Sequence, residues 1–85
     1  MGTDDDKAPK ITLSPKPPTR GQKMTISVEG MTLPVTIYLD WDPSGTPTSV
    51  EVGTSGSATV TVPSNAASLI ATGGGAQPVS TTVSP

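Results

Sequence analysis

Apolar and polar residues alternate in short runs along most of this chain, and Gly, Pro, Asn or Asp interrupts the runs. A period of two marks a half-buried strand, because successive side chains on a pleated backbone point to opposite faces. The first run is Lys10-Ile11-Thr12-Leu13-Ser14, and Pro15-Lys16-Pro17-Pro18 stops it because proline has no N–H for a ladder. This predicts a short edge strand followed by a Pro-rich crossing. From Gln22 to Val28, Met24, Ile26 and Val28 share one face against Lys23, Thr25 and Ser27. From Val35, the larger residues Val35, Ile37, Leu39 and Trp41 alternate with Thr36, Tyr38 and Asp40, which predicts the central strand.

Asp42-Pro43-Ser44-Gly45 has turn residues in turn positions, with Pro setting φ and Gly free to take a positive one. Strands are predicted over 48–52, with Val50 and Val52 inward, and over 57–62, with Ala58, Val60 and Val62 inward. The run Ala66-Ala67-Ser68-Leu69-Ile70-Ala71-Thr72 is ambiguous, since Ser64 or Asn65 can cap a helical turn there. A strand from about Ser68 is favoured, because so few residues before Gly73-Gly74-Gly75 make a poor helix. Its phase stays open between Leu69 with Ala71 inward and Ile70 with Ser68 and Thr72 inward. The last run places Val79, Thr81 and Val83 in phase. Seven strands separated by turn signals indicate an all-β, two-sheet antiparallel sandwich.

Composition supports that reading. Pro, Gly, Ser and Thr supply 43 of 85 residues, and Leu, Ile and Val together only 16, a share that would suggest disorder if charge were high. Charge is low, and β-branched Thr, Val and Ile suit a pleated sheet. The formal net charge of −2 comes from residues 1–7, MGTDDDK, which read as an expression-tag scar left by a protease site. From Ala8 onward, Lys10, Lys16, Arg20 and Lys23 balance Glu29, Asp40, Asp42 and Glu51, so residues 8–85 form one neutral domain. Four cations are too few for a phosphate-binding face, so nucleic acid is not expected as a partner. No stretch approaches the roughly 18 apolar residues of a membrane span. There is no Cys, so no disulfide.

Candidate chemistry is sparse. Asp40, Asp42, Ser44, Gly45 and Glu51 reproduce positions 1, 3, 5, 6 and 12 of a calcium loop. Against this, such a loop joins helices and has a small apolar residue where Pro47 stands, whereas these flanks alternate as strands. Solvated acids around a Pro-containing turn are the simpler reading, and no metal or other cofactor is expected. Catalysis is not expected either: there is no His to serve as base beside a nucleophile, and Lys23 alternates outward. Asp40 and Asp42 share a strand face as an acid and base pair would, but two aromatic residues hardly line a sugar cleft. Gly73-Gly74-Gly75 lacks phosphate-loop spacing and reads as a turn. Tyr38, on the polar face of the central strand, is the candidate surface contact for a protein or sugar.

The runs ITLSPKPPTRGQKMTISVEG, VTIYLDW, GSATVTVP and VSTTVSP, spanning nearly all of the chain after residue 7, resemble the immunoglobulin-like domains appended to tailed-bacteriophage virion proteins and bacterial surface proteins. Trp41 on the third strand is similar to the core Trp of antibody-type domains, whose flanking cysteines are missing here. The resemblance implies a non-catalytic module of a phage tail or capsid-decoration protein, exposed on the virion surface. It would stiffen the particle or adhere weakly to host-cell polysaccharide, with that polysaccharide or other virion proteins as partners. The isolated domain is expected to be a monomer. The alternative is a spacer or carbohydrate-binding module of a bacterial adhesin or secreted polysaccharide-degrading enzyme, placed outside the cell or on its surface. No binding residue is carried over, because these domains share a fold and not a motif.

Overall fold

A computed structural model describes residues 8–85; the tag reading of residues 1–7 lies outside them. Seven strands follow in order: β1 Lys10–Ser14, β2 Lys23–Glu29, β3 Val35–Asp42, β4 Ser49–Val52, β5 Ser57–Thr61, β6 Ser68–Thr72 and β7 Val79–Thr82. All pair antiparallel, in a three-stranded sheet ordered β1-β2-β5 and a four-stranded sheet ordered β4-β3-β6-β7. Each predicted strand is present to within a residue or two at its ends. The ambiguous run from Ser68 is a strand with Leu69 and Ala71 buried and Ile70 outside. The fourth strand joins β3, giving a 3+4 division, whereas antibody constant domains pair it with the fifth.

The core is the slab between the sheets. Ile11, Leu13, Met24, Ile26, Val28 and Val60 enter from the three-stranded sheet, and Ile37, Leu39, Trp41, Val52, Leu69 and Ala71 from the other. Their spacing follows the alternation in the sequence. Among the described residues no polar or charged side chain is buried, so the slab bears no desolvation cost of that kind. Trp41 is the largest core residue, and its indole Nε1 donates to the Pro47 carbonyl at 2.6 Å, satisfying the one polar atom it brings inside.

Each strand reverses the chain, and an odd number of strands leaves entry and exit at opposite poles. The entry pole holds Pro9, the β2–β3 connection at 30–34 and the turns at 53–56 and 73–78. Gly75 approaches Pro9 there: a Cβ on it would lie 3.9 Å from the Pro9 Cγ. At the exit pole the β1–β2 connection crosses to the end of β7. Thr19 bridges Ser84 in parallel, Ser84 N–H donates to the Pro18 carbonyl at 2.7 Å, and Arg20 N–H donates to the Ser84 carbonyl at 2.9 Å. Arg20 Nε also donates to the Ala66 carbonyl at 2.7 Å, tying this crossing to the β5–β6 connection.

Candidate functional site

The outer face of the four-stranded sheet carries the sequence-predicted contact residue. β3 runs through the middle of that sheet, so the outward alternates of its core positions, Thr36, Tyr38, Asp40 and Asp42, form a ridge along its centre. Tyr38 is 59% exposed and stands opposite Ser49 of β4 and Thr72 of β6. Ile70, 42% exposed, stands opposite Asp40 of β3 and Ser80 of β7, which makes it the diagonal neighbour of Tyr38. These two are the only large hydrophobic side chains exposed among the described residues. The rest of the face is Ser, Thr and acid, with Glu51 on β4 completing three carboxylates and no cation.

The residues of the calcium spacing fall in different places. Asp40 and Asp42 stand on the open sheet face, and Ser44 lies in the β3–β4 connection. Glu51 is opposite Thr36, four residues back along β3 from Asp40, or about 13 Å at the usual strand rise. A loop of that kind wraps its first and twelfth residues around one ion, whereas hairpin pairing draws them apart here. Among the described residues no cluster of three metal-ligating side chains occurs. As an acid and base pair, Asp40 and Asp42 have only an open sheet beneath them, and the described residues enclose no cavity.

Gly73, Gly74 and Gly75 form the β6–β7 turn at the entry pole. Gly73 has φ +145°, and a Cβ there would meet the Thr36 carbonyl oxygen at 2.7 Å; Gly74, at φ +60°, lies under the Met31 side chain. Their chemistry is close packing and positive φ, as a turn requires.

Two features were not read from the sequence. One is Ile70 as the partner of Tyr38: the signal was present in the run from Ser68 but in either of two phases, and only pairing with β3 selects one. The other is the separation of charge. Asp40, Asp42 and Glu51 all point outward from the four-stranded sheet, while Lys10, Lys23 and Glu29 are the charged residues of the three-stranded sheet and Lys16 and Arg20 lie on the connection that crosses the exit pole. Comparison with protein-family models, curated proteins and solved structures gave no match.

Proposed function

We propose that the chain is a non-catalytic immunoglobulin-like module carried in line on the surface of a larger particle, in the first instance a tailed-phage virion, where it spaces or stiffens the surface and adheres weakly to host polysaccharide. The observation that supports this most is the placement of entry and exit at opposite poles of a two-sheet slab. Segments joined before β1 and after β7 then leave in opposite directions, as a spacer requires. A hydroxyl-rich exterior with one exposed aromatic suits weak contacts whose strength comes from multiple display.

The test is retention of beads bearing many copies on bacterial cells and purified polysaccharides, with release of reducing sugar followed in parallel. Retention that falls on Tyr38→Ala, with no sugar released, is the expected result. Failure to retain any cell or polysaccharide at high display density would overturn the adhesive role, and catalytic release of sugar would overturn the non-catalytic one.

A further inference from the structure

The geometry points to the open edge of β5 as an interaction surface and to a second copy of this chain as its partner. Two β5 strands pair antiparallel about a two-fold axis through Thr59, joining two three-stranded sheets edge to edge. This goes beyond the proposed function and holds for the isolated chain, whatever particle carries it.

A strand at a sheet edge leaves alternate backbone N–H and C=O groups without a ladder partner, and the phase of the ladder decides which ones. Among the described residues β5 pairs with β2 alone. Flanking it, Val28 N–H donates to the Gly56 carbonyl and Val62 N–H to the Gln22 carbonyl, each at 2.9 Å and both in the register that sets Met24 opposite Val60. Even-numbered residues from 56 to 62 therefore bond to β2, and Ser57, Thr59 and Thr61 turn their N–H and C=O away from it. All three are exposed. Among the described residues, the one further bond to these groups is the 3.3 Å contact that the Ser57 carbonyl accepts from Ser55 Oγ.

The other three edges offer less. On β1 only Ile11 and Leu13 turn outward, between Pro9 and Pro15, which have no N–H. β4 offers Ser49 and Glu51, its phase fixed by Leu39 N–H donating to the Thr48 carbonyl at 2.8 Å. β7 offers Ser80 and Thr82, and beyond them Ser84 is already bonded to Pro18 and Arg20. Proline, charge and a covering segment are the usual protections of an edge. β5, Ser-Ala-Thr-Val-Thr, has none of them and exposes the longest row of groups.

That row is complementary to itself. With antiparallel strands centred on Thr59, Thr59 faces Thr59 and Ser57 faces Thr61, so every outward N–H of one copy meets a carbonyl of the other. A shift of two residues either way brings in Pro63, which has no N–H, or Ser55, which lies in the turn. Side chains agree with this register: Thr meets Thr and Ser meets Thr on the outer face, and half-buried Ala58 meets buried Val60 on the inner one. β5 carries no charge, and Lys23, opposite Thr61, stands three strands and four residues from its counterpart in the second copy, about 20 Å away. That exceeds the Debye length at physiological salt.

A two-fold contact uses each β5 edge once, so it closes at the dimer. The exit pole of one copy then lies beside the entry pole of the other, and the pair is a lateral joint between copies arriving from opposite directions. Three residues a side make a small contact, so the dimer forms at high local concentration and the dilute chain is a monomer.

Sedimentation equilibrium of the full chain up to roughly 1 mM tests this, in the range where so small an interface is populated. A monomer–dimer equilibrium is expected, changing less than about twofold between low and moderate salt because no charges meet in it. Thr59→Lys and Thr59→Glu each set like charges face to face across the axis, and each should weaken dimerisation about tenfold while leaving Tm within a few degrees of the parent's. An equimolar mixture of the two variants sets opposite charges at that contact and should recover a dimer at least as strong as the parent's. Amide hydrogen exchange at Thr59 and Thr61 should slow severalfold as the dimer forms, with exchange at Ser49 and Ser80 unchanged. Tyr38→Ser should leave the dimer intact. A monomer at every concentration, growth beyond the dimer, or no recovery in the mixture would overturn the proposal. Dimerisation lost on Tyr38→Ser, with the β5 amides unprotected, would overturn it in favour of the four-stranded face.

Discussion

Replacing Trp41 should disable this domain more than any other single truncation. The side chain is 3% exposed, lies between the sheets opposite Leu69 in register, and holds the β3–β4 connection through its 2.6 Å bond to the Pro47 carbonyl. Truncating a buried Trp to Ala costs about 3–5 kcal/mol, and losing the hydrogen bond adds about 1 kcal/mol. Domains are stable by about 0.05–0.15 kcal/mol per residue, which for a domain of this size is about 4–12 kcal/mol. Trp41→Ala therefore removes between a third and all of the stability. Trp41→Phe separates the two contributions, since it keeps most of the apolar volume and loses the indole N–H.

The assay is thermal and urea unfolding followed by circular dichroism, because the substitution removes the only tryptophan. At about 4–8 °C per kcal/mol for a domain this small, Trp41→Ala should lower Tm by at least about 12 °C or abolish the cooperative transition. Trp41→Phe should fall between the parent and Trp41→Ala. A Trp41→Ala protein melting within about 4 °C of the parent would refute the reasoning, since that is less than 1 kcal/mol. A Trp41→Phe protein equal to the parent would refute the part assigned to the Pro47 carbonyl.

Three further outcomes follow from the fold. Leu69→Ala should cost about 2–5 kcal/mol and Ile70→Thr under about 1 kcal/mol, and equal losses in urea unfolding would mean that the phase of β6 is wrong. Gly73→Ala should destabilise more than Gly74→Ala, because the added Cβ at Gly73 would meet the fixed Thr36 carbonyl oxygen at 2.7 Å while at Gly74 it meets the movable end of Met31; the reverse order in Tm would contradict the turn geometry. Millimolar calcium should neither raise Tm nor release heat in calorimetric titration, since Glu51 is held about 13 Å along the strand from Asp40; a stabilisation lost on Asp42→Asn would show that this spacing binds the ion after all.

The strands were legible because alternation is local. Whether Met24, Ile26 and Val28 face the same way depends only on the pleat of one segment, and the Gly and Pro that end each run act through their own φ and N–H. The run from Ser68 was not legible in the same way, since Leu69, Ile70 and Ala71 are consecutive apolar residues and either phase buries something. The candidate site was half legible. Alternation alone put Tyr38 outside, whereas the calcium spacing of Asp40, Asp42, Ser44 and Glu51 matched in sequence and came apart in space because hairpin pairing runs the acids antiparallel.

By itself the sequence determined an all-β chain with seven strands, a core of aliphatic residues around Trp41, and a neutral, hydroxyl-rich exterior. Tertiary structure alone decided that β4 joins β3, that Ile70 stands beside Tyr38, and that Asp40, Asp42 and Glu51 share one sheet face with no cation. The reason is the range of the interactions. Side-chain direction follows from the two-residue repeat of a single strand, but which strands become neighbours, in what register and in which sheet, depends on contacts between residues far apart in sequence.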